Sequence, residues 1–352
     1  MSKPFGRPLE KYSPNGICLI GEGKSPRRLQ EAKTVSRYFK LGLALGGGAA
    51  RGLAHIGILK VLESEGILPD MIVGSSMGAI IGAMYALQPD ALSLEGRIRD
   101  FLGSEEFKRA KFDFLSNSEK ASAEGEGIFY RFSNFMKKKI FYGMAISRLS
   151  FISEETFAKN IGYVLDDVDI SNTKVAFGAT TVDINTCEEI LITQGSIKQA
   201  VMASAAIPGI LPPIRIDGRI CIDGGWTREV PMEDACAMGA DYVIGVDVGS
   251  DLESAKSYMN SLDIVCRADA ITRSILKSRR LASGDFIIRP AVESINWADF
   301  KRIDDCITAG ERSARECLPA LKRGLAMKKW KSRIRHVFWM QQQRPHVPSV
   351  ND

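Results

Sequence analysis

Residues 41–87 read LGLALGGGAARGLAHIGILKVLESEGILPDMIVGSSMGAIIGAMYAL, and the order of elements in this stretch decides the fold. The run KLGLALG predicts a buried strand, Gly52 to Glu65 an amphipathic helix stopped at Gly66, DMIVG a second strand and Met77 to Leu87 a second helix. Short apolar strands separated by single helices imply parallel pairing through right-handed crossovers. The expected architecture is therefore α/β: a three-layer α/β/α fold with a mainly parallel central sheet.

Downstream, residues 101–152 break this rhythm with EEFKRAKFDF, SNSEKASAEGEG and FMKKKIFYGM, and are expected to form an insertion or lid. The pattern returns with the strand TKVAFGATTV, a helix from Ser196 to Ala205 and the hairpin IRIDGRICI, whose Asp217-Gly218 pair suits a two-residue turn. A helix-like EDACAMG and the strand ADYVIGVDVG follow, and Ser257 to Leu325 reads as mostly helical apart from FIIRP.

The 352 residues are 45% hydrophobic and 25% charged, which excludes a disordered chain, a collagen-like rod and a coiled coil. Charge is uneven: nine basic and three acidic residues lie in 1–40, thirty and thirty-eight in 41–321, and eight and one in 322–352. This divides the chain into a basic N-terminal extension (1–40), an acidic body (41–321) that carries the motifs described below, and a basic tail (322–352). Basic ends on an acidic body suggest peripheral contact with an anionic membrane; no nucleic-acid module is present, so no nucleic-acid partner is expected. On a helix, Met327, Trp330, Ile334, Val337 and Phe338 of the tail would share one side against Lys328, Lys329, Lys331, Arg333 and Arg335. Such a helix either lies in a membrane interface or docks as a last core helix. Seven cysteines without a C-x-x-C pair argue against a zinc site, and MSKPFGRPLEKYSP lacks the apolar run of a secretory signal, so a cytoplasmic location is expected.

The chemistry centres on Gly74-Ser75-Ser76-Met77-Gly78, a G-x-S-x-G sequence between a predicted strand and a predicted helix. A nucleophile elbow needs that context, because the serine occupies a tight strained turn while small residues two before and two after let strand and helix approach. Ser76 is the candidate nucleophile, flanked by Gly74 and Gly78. Gly46, Gly47 and Gly48, followed by Arg51, end the first strand and could converge backbone N–H groups into an oxyanion hole. A dinucleotide loop is disfavoured because Arg51 stands where the third glycine of that fingerprint belongs. The three histidines fit a triad poorly: His55 falls inside a helix, and His336 and His346 lie in the tail. The general base is then expected to be a carboxylate, and Asp223, at the end of the strand RICI and before Gly224-Gly225, has no evident turn to close.

GGGAARGLAHIGILKVLE, GSSMG, ASAAIPGILPP (Ala203 to Pro213) and the IDGG of residues 222–225 run in an order that resembles the patatin-like phospholipase family across residues 41 to about 250. The resemblance implies a Ser-Asp dyad at Ser76 and Asp223, with an oxyanion loop around Gly47 and Gly48. Aligned on Arg51-Gly52, Ala49 replaces the loop's third glycine, and it is expected to keep the loop only with a negative φ. The implied activity is that of a serine acyl hydrolase on lipid acyl esters, of phospholipase A or lysophospholipase type, proceeding through an acyl-enzyme without metal or organic cofactor. The alternatives are a soluble carboxylesterase or thioesterase, and a membrane-associated regulatory protein with little turnover.

Overall fold

The computed structural model describes residues 17–20, 39–109, 149–249 and 261–342. Its strands are β1 (Ile17–Ile20), β2 (Leu41–Leu45), β3 (Met71–Gly74), β4 (Ala176–Asp183), β5 (Glu189–Ile192), β6 (Ile214–Ile216), β7 (Arg219–Asp223), β8 (Tyr242–Val246) and β9 (Phe286–Ile288). They form one mixed sheet in the order β1-β5-β4-β3-β2-β8-β9, to which β7 attaches along β4 and β6 along β7. The run from β4 through β3, β2 and β8 to β9 is parallel throughout, as the strand-helix alternation predicts.

β2 lies at the centre and is buried at every position. Because strand side chains alternate between faces, Leu43 and Leu45 join one apolar cluster with Ile58, Ile72 and Phe177, whereas Ala44 joins another with Val73, Met232 and Val243. The sheet is thus covered on both sides. The helices are α1 (Ala54–Ser64), α2 (Met77–Leu87), α3 (Ala91–Gly103), α4 (Glu105–Arg109), α5 (Glu154–Val164), α6 (Ile197–Ser204), α7 (Met232–Ala237), α8 (Ser261–Arg280) and α9 (Ile303–Gln342). α1 and α9 cross at backbone contact. A Cβ on Gly57 would strike the carbonyl of Ile307, and one on Gly310 would strike the carbonyl of Ala54.

The hairpin turns as its sequence predicts, with Asp217 and Gly218 both at positive φ (47° and 77°). Two strands escape the sequence pattern. β1, within the basic N-terminal extension, pairs in parallel with β5, and β5 runs antiparallel to β4. Both are four residues long, too short to show a periodicity of their own. The expected insertion or lid falls mostly outside the described residues, which leave out 110–148. α9 runs without a break across residues 321 and 322, burying Leu321 and Leu325, so the first turns of the basic tail continue a core helix.

Candidate active site

The elbow is formed where β3 hands over to α2. Ser76 has φ 54° and ψ −122°, a conformation that a side chain adopts only when the surroundings enforce it. They do so from three directions. Ser75 N–H donates to the Leu45 carbonyl at 3.0 Å, and Gly78 N–H closes the turn on the Ser75 carbonyl at 2.8 Å. Ser76 N–H reaches the end of α6, meeting the Ser204 carbonyl at 3.2 Å and Oγ at 3.1 Å. α6 is itself fixed at its start by Ser196, whose Oγ accepts from Gln199 N–H. Gly74 and Gly78 leave no room for a side chain: a Cβ on Gly74 would strike the Ala79 backbone, and one on Gly78 the Leu45 carbonyl.

Asp223 arrives at the end of β7, opposite Thr181 of β4, and is 3% exposed. Its backbone N–H is held by the Ala206 carbonyl, and its Oδ1 accepts from Gly225 N–H at 2.7 Å. Burial pushes its carboxyl up from the usual 3.8 to about 6, against the opposing pull of hydrogen bonds from the Ser76 hydroxyl and Gly225 N–H and of the Arg273 charge. The serine and the carboxyl line one cavity, close enough for the hydroxyl to lower the proton affinity of Asp223. Arg228 anchors the segment after Asp223: it pairs with Asp234 in the interior and donates to the carbonyls of Thr181 (3.2 Å) and Ile190 (2.8 Å).

The glycine loop differs in detail from expectation. Gly46 N–H and Gly47 N–H are spent on the carbonyls of Val246 (3.0 Å) and Glu229 (2.9 Å). Arg51 turns its guanidinium to the 293–295 segment, with Nε donating to the Ile295 carbonyl at 2.6 Å and Nη2 to that of Glu293 at 3.4 Å. Gly48 N–H and Ala49 N–H donate to no carbonyl among the described residues, and both residues line the cavity that holds Ser76 and Asp223. Ala49 does not take the negative φ expected of it. Its φ is 47°, held by the next residue, since Ala50 N–H is tied to the Trp297 carbonyl at 2.8 Å.

His55 is fully buried on α1 and meets the Gly46 carbonyl through Nε2 at 2.8 Å. Burial lowers its pKa to about 4, so the ring is neutral, and only the Nε2–H tautomer can donate to that carbonyl. It braces the glycine loop. The side chains of His336 and His346 lie outside the described residues.

The cavity has a volume of about 480 Å³. Beyond the residues read from the sequence, its walls carry Trp226, Glu229 and Trp297, together with Arg273 and Lys277 from α8. Trp226 follows the IDGG stretch directly and was within reach of sequence reasoning. Arg273 and Lys277 were not, because only the tertiary path of α8 brings them here. Among the described residues, no cluster of His, Cys, Asp or Glu could hold a metal ion.

A family profile described as patatin-like phospholipase matches residues 43–236, the stretch from β2 through α7. The chain is 26% identical over 337 residues to the lysophospholipase NTE1 of Mycosarcoma maydis, covering 88% of this chain and 16% of that protein. It is 27% identical over 308 residues to the lysophospholipase nte1 of Aspergillus fumigatus (80% and 18%), and 25% identical over 307 residues to that of Kluyveromyces lactis (80% and 19%). It spans less than a fifth of these relatives' length. The solved structure of VipD from Legionella pneumophila overlaps 80% of the chain and 67% of its own at a TM-score of 0.39 and 12% identity, a likeness too loose to bear on the site. With its family segment carrying the elbow, the glycine loop and the buried aspartate, the chain belongs to the patatin-like phospholipase family of ester hydrolases.

Proposed function

We propose that this chain hydrolyses the acyl ester of a lysophospholipid-type lipid through a Ser76–Asp223 dyad. The observation that carries the reading is the placement of the strained Ser76 elbow and the buried Asp223 carboxyl on one cavity, also lined by Gly48 and Ala49, whose N–H groups donate to no carbonyl among the described residues. Asp223 takes the Ser76 proton as Oγ attacks the ester carbonyl carbon. The carbonyl oxygen, now anionic, is held by Gly48 N–H and Ala49 N–H, while the N-terminus of α2 adds its partial positive charge at the elbow. As the tetrahedral intermediate collapses, Asp223 returns the proton to the leaving glycerol oxygen and an acyl-enzyme remains. Water, deprotonated by Asp223, then releases the fatty acid and restores the serine. None of these steps uses a metal or an organic cofactor.

Peripheral attachment to an anionic membrane belongs to the same proposal. No helix among the described residues is long and apolar enough to cross a membrane. On α9, Met327 and Trp330 are 60% and 63% exposed between lysines, an arrangement suited to a lipid interface.

Ser76→Ala and Asp223→Asn test the chemistry on a water-soluble short-chain ester. Each is expected to lower kcat by about a thousandfold or more with unchanged circular dichroism, in line with loss of a nucleophile or general base. Turnover retained in either variant would overturn the dyad.

A further inference from the structure

Among the described residues, three cations line the cavity: Arg51, Arg273 and Lys277. Two are committed elsewhere. Arg51 directs Nε and Nη2 to the carbonyls of Ile295 and Glu293. Lys277, 8% exposed, sits between Glu229 Oε1 at 3.1 Å and Asp247 Oδ1 at 3.3 Å, so two carboxylates neutralise it. Arg273 differs from both. Its Nε meets Asp269 Oδ2 at 2.9 Å, one turn earlier on α8, while neither Nη group donates to any acceptor among the described residues. Its guanidinium carbon stands 4.8 Å from the centre of the Trp226 ring.

This arrangement has a chemical consequence. A guanidinium seated over an indole gains cation–π attraction while its in-plane N–H donors stay available. Two adjacent N–H donors in a fixed plane match the oxygens of a phosphate, whereas a neutral ester group offers them far less. The cavity already holds the carboxylates of Asp223 and Glu229, so a further anion entering it needs a cation with donors still available, and Arg273, although its Nε is paired with Asp269, keeps both Nη groups. Arg273 is 34% exposed, open enough to be reached and covered enough for the contact to count.

We propose that Arg273, fixed over Trp226, receives the phosphate of the substrate's head group while the ester lies at Ser76. The inference rests on the acyl-hydrolase reading above and adds a specificity residue to it. A phosphate held on the α8 wall orients the lipid so that its glycerol ester, a few bonds away, reaches the glycine loop. Lipids without phosphate lose that anchor.

Binding tests this independently of turnover. In the Ser76→Ala protein, quenching of tryptophan fluorescence is titrated with a monoacyl glycerophospholipid and with the monoacylglycerol of the same chain. The phospholipid is expected to bind about tenfold to a hundredfold more tightly, the range for hydrogen bonds to a charged group. Adding Arg273→Gln is expected to abolish that preference, and Arg273→Lys to restore part of it. Glycerol phosphate and inorganic phosphate, added as competitors, distinguish the head group from free phosphate. Displacement by glycerol phosphate but not by equimolar inorganic phosphate is expected; displacement only by inorganic phosphate would reassign the site to the free ion and overturn the proposal. In the active enzyme, Arg273→Gln is expected to lower the ratio of kcat/KM for phospholipid over monoacylglycerol by a similar factor at pH 8, where Asp223 is ionised in either protein. Equal loss on both lipids would show that Arg273 acts through packing or through the Asp223 charge, and would overturn the proposal. A preference for phospholipid that survives Arg273→Gln would do the same. If no ester is hydrolysed by the native protein, the dyad reading fails, while the binding result still decides the role of Arg273.

Discussion

As the proposed general base, Asp223 is the residue on which activity and stability pull in opposite directions. A carboxyl raised from 3.8 to about 6 by burial must lose its proton to act as a base, so kcat/KM on a soluble ester is expected to rise through an apparent pKa near 6 and level off above it. The folded state binds this proton more tightly than the unfolded chain, so the group's stabilising contribution is complete below pH 3.8 and is lost as pH rises through 6. Asp223→Asn removes that cost, and at pH 8 it is expected to raise stability by up to about 3 kcal/mol, read as a higher urea midpoint. A lower midpoint would contradict the burial argument. Ala49 holds a second reservoir of strain: Ala49→Gly relieves a φ of 47° and is expected to stabilise by about 1 kcal/mol, measured the same way. The places of Ser76 and Asp223 on one cavity were legible in the sequence because each stands in a local pattern, an elbow and an Asp-Gly-Gly strand end. The donors of the glycine loop were not. Which of its N–H groups stay unspent is decided by Val246 and Glu229, some two hundred residues away in the chain.

At the scale of elements, the strand-helix rhythm of residues 41–87 was readable because β2 and β3 are buried on both faces and so carry continuous apolar runs. α8 was not readable in function. Its sequence shows a polar helix, and its place on the cavity wall is a product of tertiary packing alone. The contact of α1 with α9 was equally hidden, since nothing local marks Gly57 and Gly310 as partners. Gly57→Ala is expected to destabilise the protein by about 1–3 kcal/mol, because its methyl group would press on the Ile307 backbone and force the helices apart. His55, on the same helix, acts through the loop it braces. His55→Gln keeps an N–H donor for the Gly46 carbonyl and is expected to retain most ester hydrolysis; a loss near a thousandfold would indicate a histidine base.

For the whole molecule, the proposed attachment to a membrane turns on the basic tail. The two readings of the basic tail divide along α9. Leu321 and Leu325 are buried, Lys328 pairs with Asp285 at 2.5 Å, and Lys329 stands over the Phe39 ring, so this part of the helix docks on the domain. Met327 and Trp330 face outward, and the side chains of Ile334, Val337 and Phe338 lie outside the described residues. Replacing both exposed residues, as Met327→Gln with Trp330→Ser, is expected to weaken binding to acidic vesicles by about tenfold without lowering thermal stability. Unchanged sedimentation with vesicles would remove α9 from the membrane account. Active-site labelling tests most directly whether Ser76 is activated. After reaction with a fluorophosphonate, peptide mass spectrometry is expected to find a single adduct on Ser76, formed far more slowly in Asp223→Asn; an adduct on another residue, or equal labelling of Ser76→Ala, would contradict the account.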